Sequence, residues 1–152
     1  MGMFTAINIA STGMTAERLR QDVIADNIAN AQTTRTPEGG AFKRSRVVLE
    51  PVAETPYFRL PFLPDRWDGG AGNGVRVSEI QKDSSTAPRF VYDPTHPDAI
   101  KTGPMKDYVE YPNVNIVTEM VDLIAASRAY EANAAIVNGA KGMFMKALEI
   151  GR

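Results

Sequence analysis

Residues 113–148 read NVNIVTEMVDLIAASRAYEANAAIVNGAKGMFMKAL, and this stretch decides the fold. Its large apolar residues recur at spacings of three and four, which is typical of an amphipathic helix, and no proline interrupts them. They are Ile116, Met120, Leu123, Tyr130, Ala134, Val137, Phe144 and Leu148. A second stripe of mostly small residues lies well round the helix: Ala125, Ala129, Ala132, Ile136, Ala140, Met143 and Ala147. A surface helix of a globular domain usually has one apolar stripe, so two stripes predict partners on two sides.

The predicted length of this helix supports the same interpretation. At 1.5 Å per residue it would be roughly 50 Å long, which exceeds the width expected of so small a domain. The pattern therefore favours a helix that serves assembly over a helix that supports an active site.

A second helix is predicted over Met3–Ala29, and its apolar surface is also divided between two sides. One side carries Met3, Ile7, Ala10, Met14, Ile24 and Ile28, and the nearly opposite side carries Ala16, Leu19 and Val23. We expect Asn27 and Asn30 to close the helix, since asparagine tolerates the left-handed conformation of many helix ends. The alternative is a core helix that its own chain buries on both sides.

The middle of the chain alternates in the way that β-strands do. Strands are predicted over Phe42–Glu50, Val75–Ile80, Arg89–Tyr92 and Tyr108–Glu110. We expect the basic group Lys43, Arg44 and Arg46 to be a solvated strand face, although a phosphate-contacting patch is the alternative. The predicted fold is α+β: long N- and C-terminal helices pair as a coiled-coil-like stem that carries a small β-rich domain. The predicted domains are 1–32 with 112–152 for the helices, and 33–111 for the β-rich part.

Two loop segments are predicted between the strands. Prolines at Pro51, Pro56, Pro61 and Pro64 exclude a central strand and indicate an irregular loop, whose aromatic residues we expect to pack on the small core or on a neighbouring subunit. The glycine-rich residues 68–74 precede a strand rather than a helix, so they indicate a flexible turn and not a phosphate-binding loop.

Composition excludes several classes of function. The 152 residues include 17 basic and 18 acidic side chains, without the basic excess of a nucleic-acid surface. There is no cysteine, which excludes disulfides and thiolate chemistry. No apolar run is long enough to span a membrane. The first ten residues lack the pattern of a signal peptide, so we expect any export to proceed without cleavage.

The sequence also lacks the groups of residues that are typical of a catalytic or metal-binding site. His96, the one histidine, lies in a proline-bounded turn beside two aspartates and is a weak candidate for a zinc ligand. Asp22 and Asp26 share a helix face, but we expect that face to be solvated. We therefore expect no catalytic residue, no metal and no cofactor, and we predict that the protein is not an enzyme.

Both ends of the chain resemble the axial proteins of the bacterial flagellum, the rod, hook and filament-junction family. The N-terminal half of the resemblance rests on STGM at 11–14, DNIANAQTT at 26–34 and GAFKR at 40–44. The C-terminal half rests on YPNVNIVTEMVD at 111–122 and SRAYEAN at 127–133. Together with the short chain and the turn DPTHPDA at 93–99, these motifs resemble those of a proximal-rod subunit.

The resemblance implies a structural subunit that polymerises through its terminal helices and transmits torque from motor to hook. It implies export through the flagellar type III apparatus and assembly in the periplasm, within the basal body. The implied partners are other rod subunits, copies of the same chain and the junction proteins between the MS-ring and the rod base. Nucleic acid is not an expected partner, and the protein is not expected to span a membrane.

From the two-sided helices we expect one stripe to close the pair of terminal helices and the other stripe to meet neighbouring subunits. The predicted subunit interface is Ile7, Met14, Ile28, Met120, Leu123, Ala129, Tyr130, Ala132, Ile136 and Phe144. Contacts of this heterologous, non-closing kind build tubes. The alternative is a self-contained adaptor whose helices close on the β-rich domain and bind one partner.

Overall fold

The structure is a computed structural model that describes residues 3–52 and 72–151. Two long helices dominate it: α1 spans Met3–Ala29 and α2 spans Ile116–Ile150. The predicted bounds of α1 are confirmed, whereas α2 begins three residues later than predicted. The later start has a local cause: the side chain of Asn115 accepts hydrogen bonds from the backbone N–H groups of Val117 and Thr118, which makes it the N-cap.

Four strands form two antiparallel pairs in the described part of the chain. β1 (Ser45–Pro51) pairs with β2 (Val75–Lys82), and β3 (Arg89–Tyr92) pairs with β4 (Tyr108–Tyr111). The four strands lie where the sequence predicts them, although β1 starts later than the predicted Phe42. Phe42 instead donates its backbone N–H to the carbonyl of Thr33, in the turn that follows α1.

α1 is the centre of the fold because it packs against α2 on one side and against the β1–β2 pair on another. Ala16 and Val23, on the sheet-facing side, are buried. The hydroxyl of Thr12 accepts the backbone N–H of Val75 at 3.2 Å and so fixes the start of β2 against the helix. The second apolar side of α1 is therefore covered by its own chain, and the expectation that it meets a neighbouring subunit is wrong.

Gly74 shows how closely the sheet approaches α1. Its φ is +101°, a left-handed conformation that favours glycine, and a Cβ at this position would collide with the hydroxyl of Thr12. The predicted proline-rich loop and the first part of the glycine-rich turn lie outside the described residues, apart from Pro51, which ends β1.

The helical ends and the two small antiparallel sheets confirm the predicted α+β class. Among the described elements, α2 packs only against α1, so the two terminal helices form a pair. Most side chains of α2 are exposed. In residues 3–52 and 72–151, neither helix combines the length and the apolar character needed to cross a membrane.

Candidate assembly interface

Small side chains line the centre of the seam between α1 and α2. Ala126 and Ala140 are buried, and Gly13 of α1 lies against Asn133 of α2. A Cβ at Gly13 would come within 2.8 Å of the Asn133 side-chain nitrogen. The absence of a side chain at Gly13 therefore leaves room for the Asn133 amide at this point.

Two cross-helix contacts fix the register of the antiparallel pair. Gly13 faces Asn133, and Asn27 hydrogen-bonds to Glu119. Along each helix the two positions are fourteen residues apart, which is two heptads. The α2 residues at this seven-residue spacing are Glu119, Ala126, Asn133 and Ala140, and three of them are buried. The pair therefore packs with a coiled-coil-like repeat.

The seam does not follow either of the stripes that the sequence analysis identified. Of the small-residue stripe, Ala140 is buried in the seam and Ala129 is only half-buried, and Leu123 and Val137 of the large-residue stripe are half-buried as well. Residues of both stripes therefore line the seam, which corrects the expectation that one stripe alone closes the helix pair. Both stripes flank the seam, and each has part of its surface exposed.

A buried ion pair fastens α2 to the rest of the chain. The carboxylate of Glu119 is 1% exposed, which is rare for an unpaired charge. Oε1 accepts a hydrogen bond from Nε of Arg44 at 2.6 Å, and Oε2 accepts one from Nδ2 of Asn27 at 3.1 Å. Both carboxylate oxygens are thus paired, which offsets the desolvation of the charge.

Asn27 links this ion pair to the first strand. Its Nδ2 also donates to the carbonyl of Ser45 at 2.9 Å, and its Oδ1 accepts the Ser45 backbone N–H at 2.9 Å. The Asn27 side chain thus forms the same pair of hydrogen bonds with the Ser45 backbone that the backbone of a neighbouring strand would form. Asn27 lies within α1, two residues before its end, so the prediction that it closes the helix is wrong.

A second carboxylate extends the network toward solvent. Asp122 lies 3.5 Å from Nη2 of Arg44 and 4.0 Å from Nη2 of Arg20. We name Asn27, Arg44, Ser45, Glu119 and Asp122 the clasp, because they join α1, β1 and α2. Arg44 is 30% exposed, so the prediction that it belongs to a solvated strand face is wrong.

The clasp is the site that sequence reasoning missed. The sequence does contain an indication of it, because Glu119 is separated from Ala126 and Ala140 by multiples of seven residues and so lies on the same face of α2. A charged side chain on a buried face needs a partner. That partner comes from residues 27 and 44, which local periodicity does not connect to position 119.

The predicted interface residues lie on the outside of the helix pair, and none of them is fully buried. Half-buried are Ile7, Met14, Ile28, Leu123 and Ala129, and exposed are Met120, Tyr130, Ala132, Ile136 and Phe144. Each of them thus keeps part of its surface exposed in the single chain.

His96 has a structural role in its turn. Its Nδ1 accepts the backbone N–H of Asp98 at 3.2 Å, and the Asp98 carboxylate accepts the hydroxyl of Thr34 at 2.9 Å. This turn is thereby attached to the segment that follows α1. Within residues 3–52 and 72–151, no three histidine, cysteine or acidic side chains are grouped closely enough to hold a metal ion.

The helical ends match known protein families. Residues 7–35 match the model of flagella basal body rod proteins, and residues 105–150 match that of the C-terminal region of flagellar basal body rod FlgEFG proteins. These ranges contain most of α1 and all of α2.

Three relatives that match over nearly the whole length are named flagellar basal-body rod protein FlgC. The protein of that name from Borreliella burgdorferi is 56% identical over 150 residues, which are 99% of this chain and 98% of the relative. Those from Bacillus subtilis and Escherichia coli O6:H1 are 42% and 34% identical and are matched over the full length of both chains. The chain therefore belongs to the FlgC family of flagellar basal-body rod proteins and is a structural subunit of the rod.

Proposed function

We propose that the protein polymerises through its terminal helices in the proximal rod and transmits torque from the motor to the hook. The observation that carries the proposal is the amount of apolar surface that α2 leaves exposed. Val117, Met120, Val121, Ile136 and Met143 are each more than half exposed. Apolar surface that is contiguous and exposed on a soluble chain marks an interaction site.

The proposed division of labour follows the two parts of the fold. Segments 1–32 and 112–152 would form the assembly domain, and segment 33–111 would be displayed outside the tube of helices. The clasp would keep these parts in a fixed orientation, because it joins both helices to β1 through paired and largely buried groups. Family membership in the rod favours this arrangement over a self-contained adaptor.

Torque transmission would require many simultaneous contacts between subunits and no catalysed reaction. A side-by-side array of helices distributes a tangential load over a large number of buried side chains, and close packing makes such an interior resist compression. The proposed contact residues are Ile7, Met14, Ile28, Met120, Leu123, Ala129, Tyr130, Ala132, Ile136 and Phe144. We propose no catalytic role for any residue.

The proposed partners and location follow from rod membership. The partners would be copies of this chain, other rod subunits, the junction proteins between the MS-ring and the rod base, and the flagellar type III export apparatus. Assembly would take place in the periplasmic part of the basal body, after export without a cleaved signal peptide.

Ala132 provides the test, because it is exposed in the single chain. Ala132→Phe should leave the thermal unfolding of the purified protein unchanged, since the added ring meets solvent. The same variant should lose motility and be absent from purified basal bodies, because overpacking is costly where helices approach closely. Ala132→Ser is the matched control and should assemble normally.

A second variant distinguishes an assembly defect from a folding defect. Ala126 is fully buried in the α1–α2 seam, so Ala126→Phe should lower the unfolding temperature of the isolated chain. Normal motility of Ala132→Phe would contradict the proposal that this face is packed in the rod.

A further inference from the structure

The β1–β2 pair is a sheet with an edge on each side. Within residues 3–52 and 72–151, the two strands pair with each other and with no third strand. The outer edge of a strand presents backbone N–H and C=O groups that can pair with a strand of another chain. In a subunit that assembles beside others, such pairing would compete with the proposed contacts between helices.

The backbone groups of Pro51 and Val75 face away from each other, toward opposite edges of the sheet. The N–H of Val52 donates to the carbonyl of Gly74 at 3.0 Å. Hydrogen-bonded and non-hydrogen-bonded residue pairs alternate along an antiparallel ladder. The adjacent pair of Pro51 and Val75 is therefore a non-hydrogen-bonded one. Val75 thus directs its N–H outward on the β2 edge, and the Pro51 nitrogen faces outward on the β1 edge.

Neither of these two positions offers a free donor to another strand. The hydroxyl of Thr12 accepts the Val75 N–H at 3.2 Å, and it donates to the carbonyl of Ile9 at 2.7 Å, so its own helix holds it in place. Proline has no N–H, which is why prolines within sheets are found on edge strands. At this end of the sheet, each edge therefore lacks one outward donor.

The rest of each edge is also interrupted. At the start of β1 the Asn27 side chain bonds to both the N–H and the C=O of Ser45. On β2 the register shifts between the partners of Val48 and Leu49, which leaves Ser78 without a partner residue. A bulge of this kind bends the strand and increases its twist, and it is one of the ways in which natural sheets avoid pairing at their edges.

We propose that Thr12 and Pro51 are specificity residues of assembly, which keep the β1–β2 pair from adding a strand of another chain. Strand addition gains its affinity from consecutive main-chain hydrogen bonds. The interruptions leave neither edge with a continuous row of such groups, so the β-rich part does not compete with contacts between helices. The inference goes beyond the proposed function and does not depend on it, because it concerns the edges of the folded single chain.

Two substitutions should open one edge each. Thr12→Val nearly keeps the shape of the side chain but removes the acceptor of the Val75 N–H. Pro51→Thr restores an outward N–H on β1. A chain with both changes has an open edge on either side of the sheet, so that one copy after another can add strand to strand.

Sedimentation velocity and thioflavin T fluorescence of the purified chain measure this association. We expect Thr12→Val/Pro51→Thr to shift to larger species than the unchanged chain forms at the same concentration, with a rise in thioflavin T fluorescence. Thr12→Ser is the matched control: it keeps the hydroxyl and should sediment like the unchanged chain.

A second control separates open edges from partial unfolding. Asn115→Ala removes the N-cap of α2, whose side chain bonds to the first turn of that helix, and should leave both edges as they are. Equal association of Asn115→Ala and the double variant would overturn the proposal. So would a double variant that is folded by circular dichroism and sediments like the unchanged chain. If the double variant does not fold, Pro51→Thr alone decides, since its one open edge should give dimers and unchanged sedimentation would contradict the role of Pro51.

Discussion

Replacing Glu119 by glutamine tests whether the clasp holds α2 in place. Glutamine keeps the shape of the side chain but removes its charge and turns one acceptor oxygen into a donor. In the native structure both oxygens face donors, Nε of Arg44 at 2.6 Å and Nδ2 of Asn27 at 3.1 Å. Whichever way the new amide points, its NH₂ group therefore meets another donor.

The expected loss follows from these two contacts. A hydrogen bond to a charged group contributes about 1.5–3 kcal/mol to stability, more than a neutral one. Arg44 retains Asp122 as a partner at 3.5 Å, and Asn27 retains Ser45, so neither group is left without a partner. We therefore expect Glu119→Gln to lower the free energy of unfolding by about 2–3 kcal/mol. In a chain of this size that corresponds to a fall in Tm of roughly 4–12 °C.

Far-UV circular dichroism of the purified chain in urea measures this effect, and α2 supplies a matched control. Glu131 pairs with Arg128 at 2.8 Å but is 59% exposed. Glu131→Gln should cost less than about 0.5 kcal/mol, because exposed ion pairs contribute little. If the two variants lost the same amount of stability, burial of Glu119 would not be what gives the clasp its strength, and the reasoning would be refuted.

Three further predictions concern the packing of α1, the start of α2 and a surface turn. Gly74→Ala should destabilise the protein by about 1–3 kcal/mol through its positive φ and its contact with α1; Gly39→Ala, with φ +90° and open space around it, should cost less in the same urea titration. Asn115→Ala should cost about 1 kcal/mol in thermal unfolding by removing the N-cap, whereas Asn115→Gly should cost only a few tenths. Hydrogen bonds from the hydroxyls of Thr86 and Ser85 hold the pKa of Asp83 below its ordinary value. Because the folded pKa is the lower one, this turn contributes its stability above the unfolded pKa and loses it as pH falls toward the folded pKa; an NMR titration of the carboxyl that gave an ordinary pKa would contradict this.

Local patterns in the sequence predict the elements of this fold well. The spacing of apolar residues gives both helices, and alternation gives the four strands, because each pattern reports which faces of one segment avoid water. The small shift at the start of α2 arises from Asn115, whose capping hydrogen bonds periodicity does not reveal.

Such patterns do not show which other segment or subunit covers an apolar face. Ala16 and Val23 indicate a buried side of α1, but the sequence does not say whether a neighbouring subunit or the chain's own β1–β2 pair provides the cover. Arg44 and Glu119 look like surface residues for the same reason, since each finds its partner far away in the chain. The interface residues stay a prediction until the assembled rod is probed.

The clasp also has a consequence for the order in which the chain folds. Asn27 and Glu119 are 92 residues apart in sequence, so their contact belongs to the slow, non-local class. The β1–β2 and β3–β4 pairs connect segments that are closer together, and closing a shorter loop costs less entropy. Folding should therefore end with the docking of α2, and until that step α1 has one apolar side covered by the sheet and the other still exposed to water.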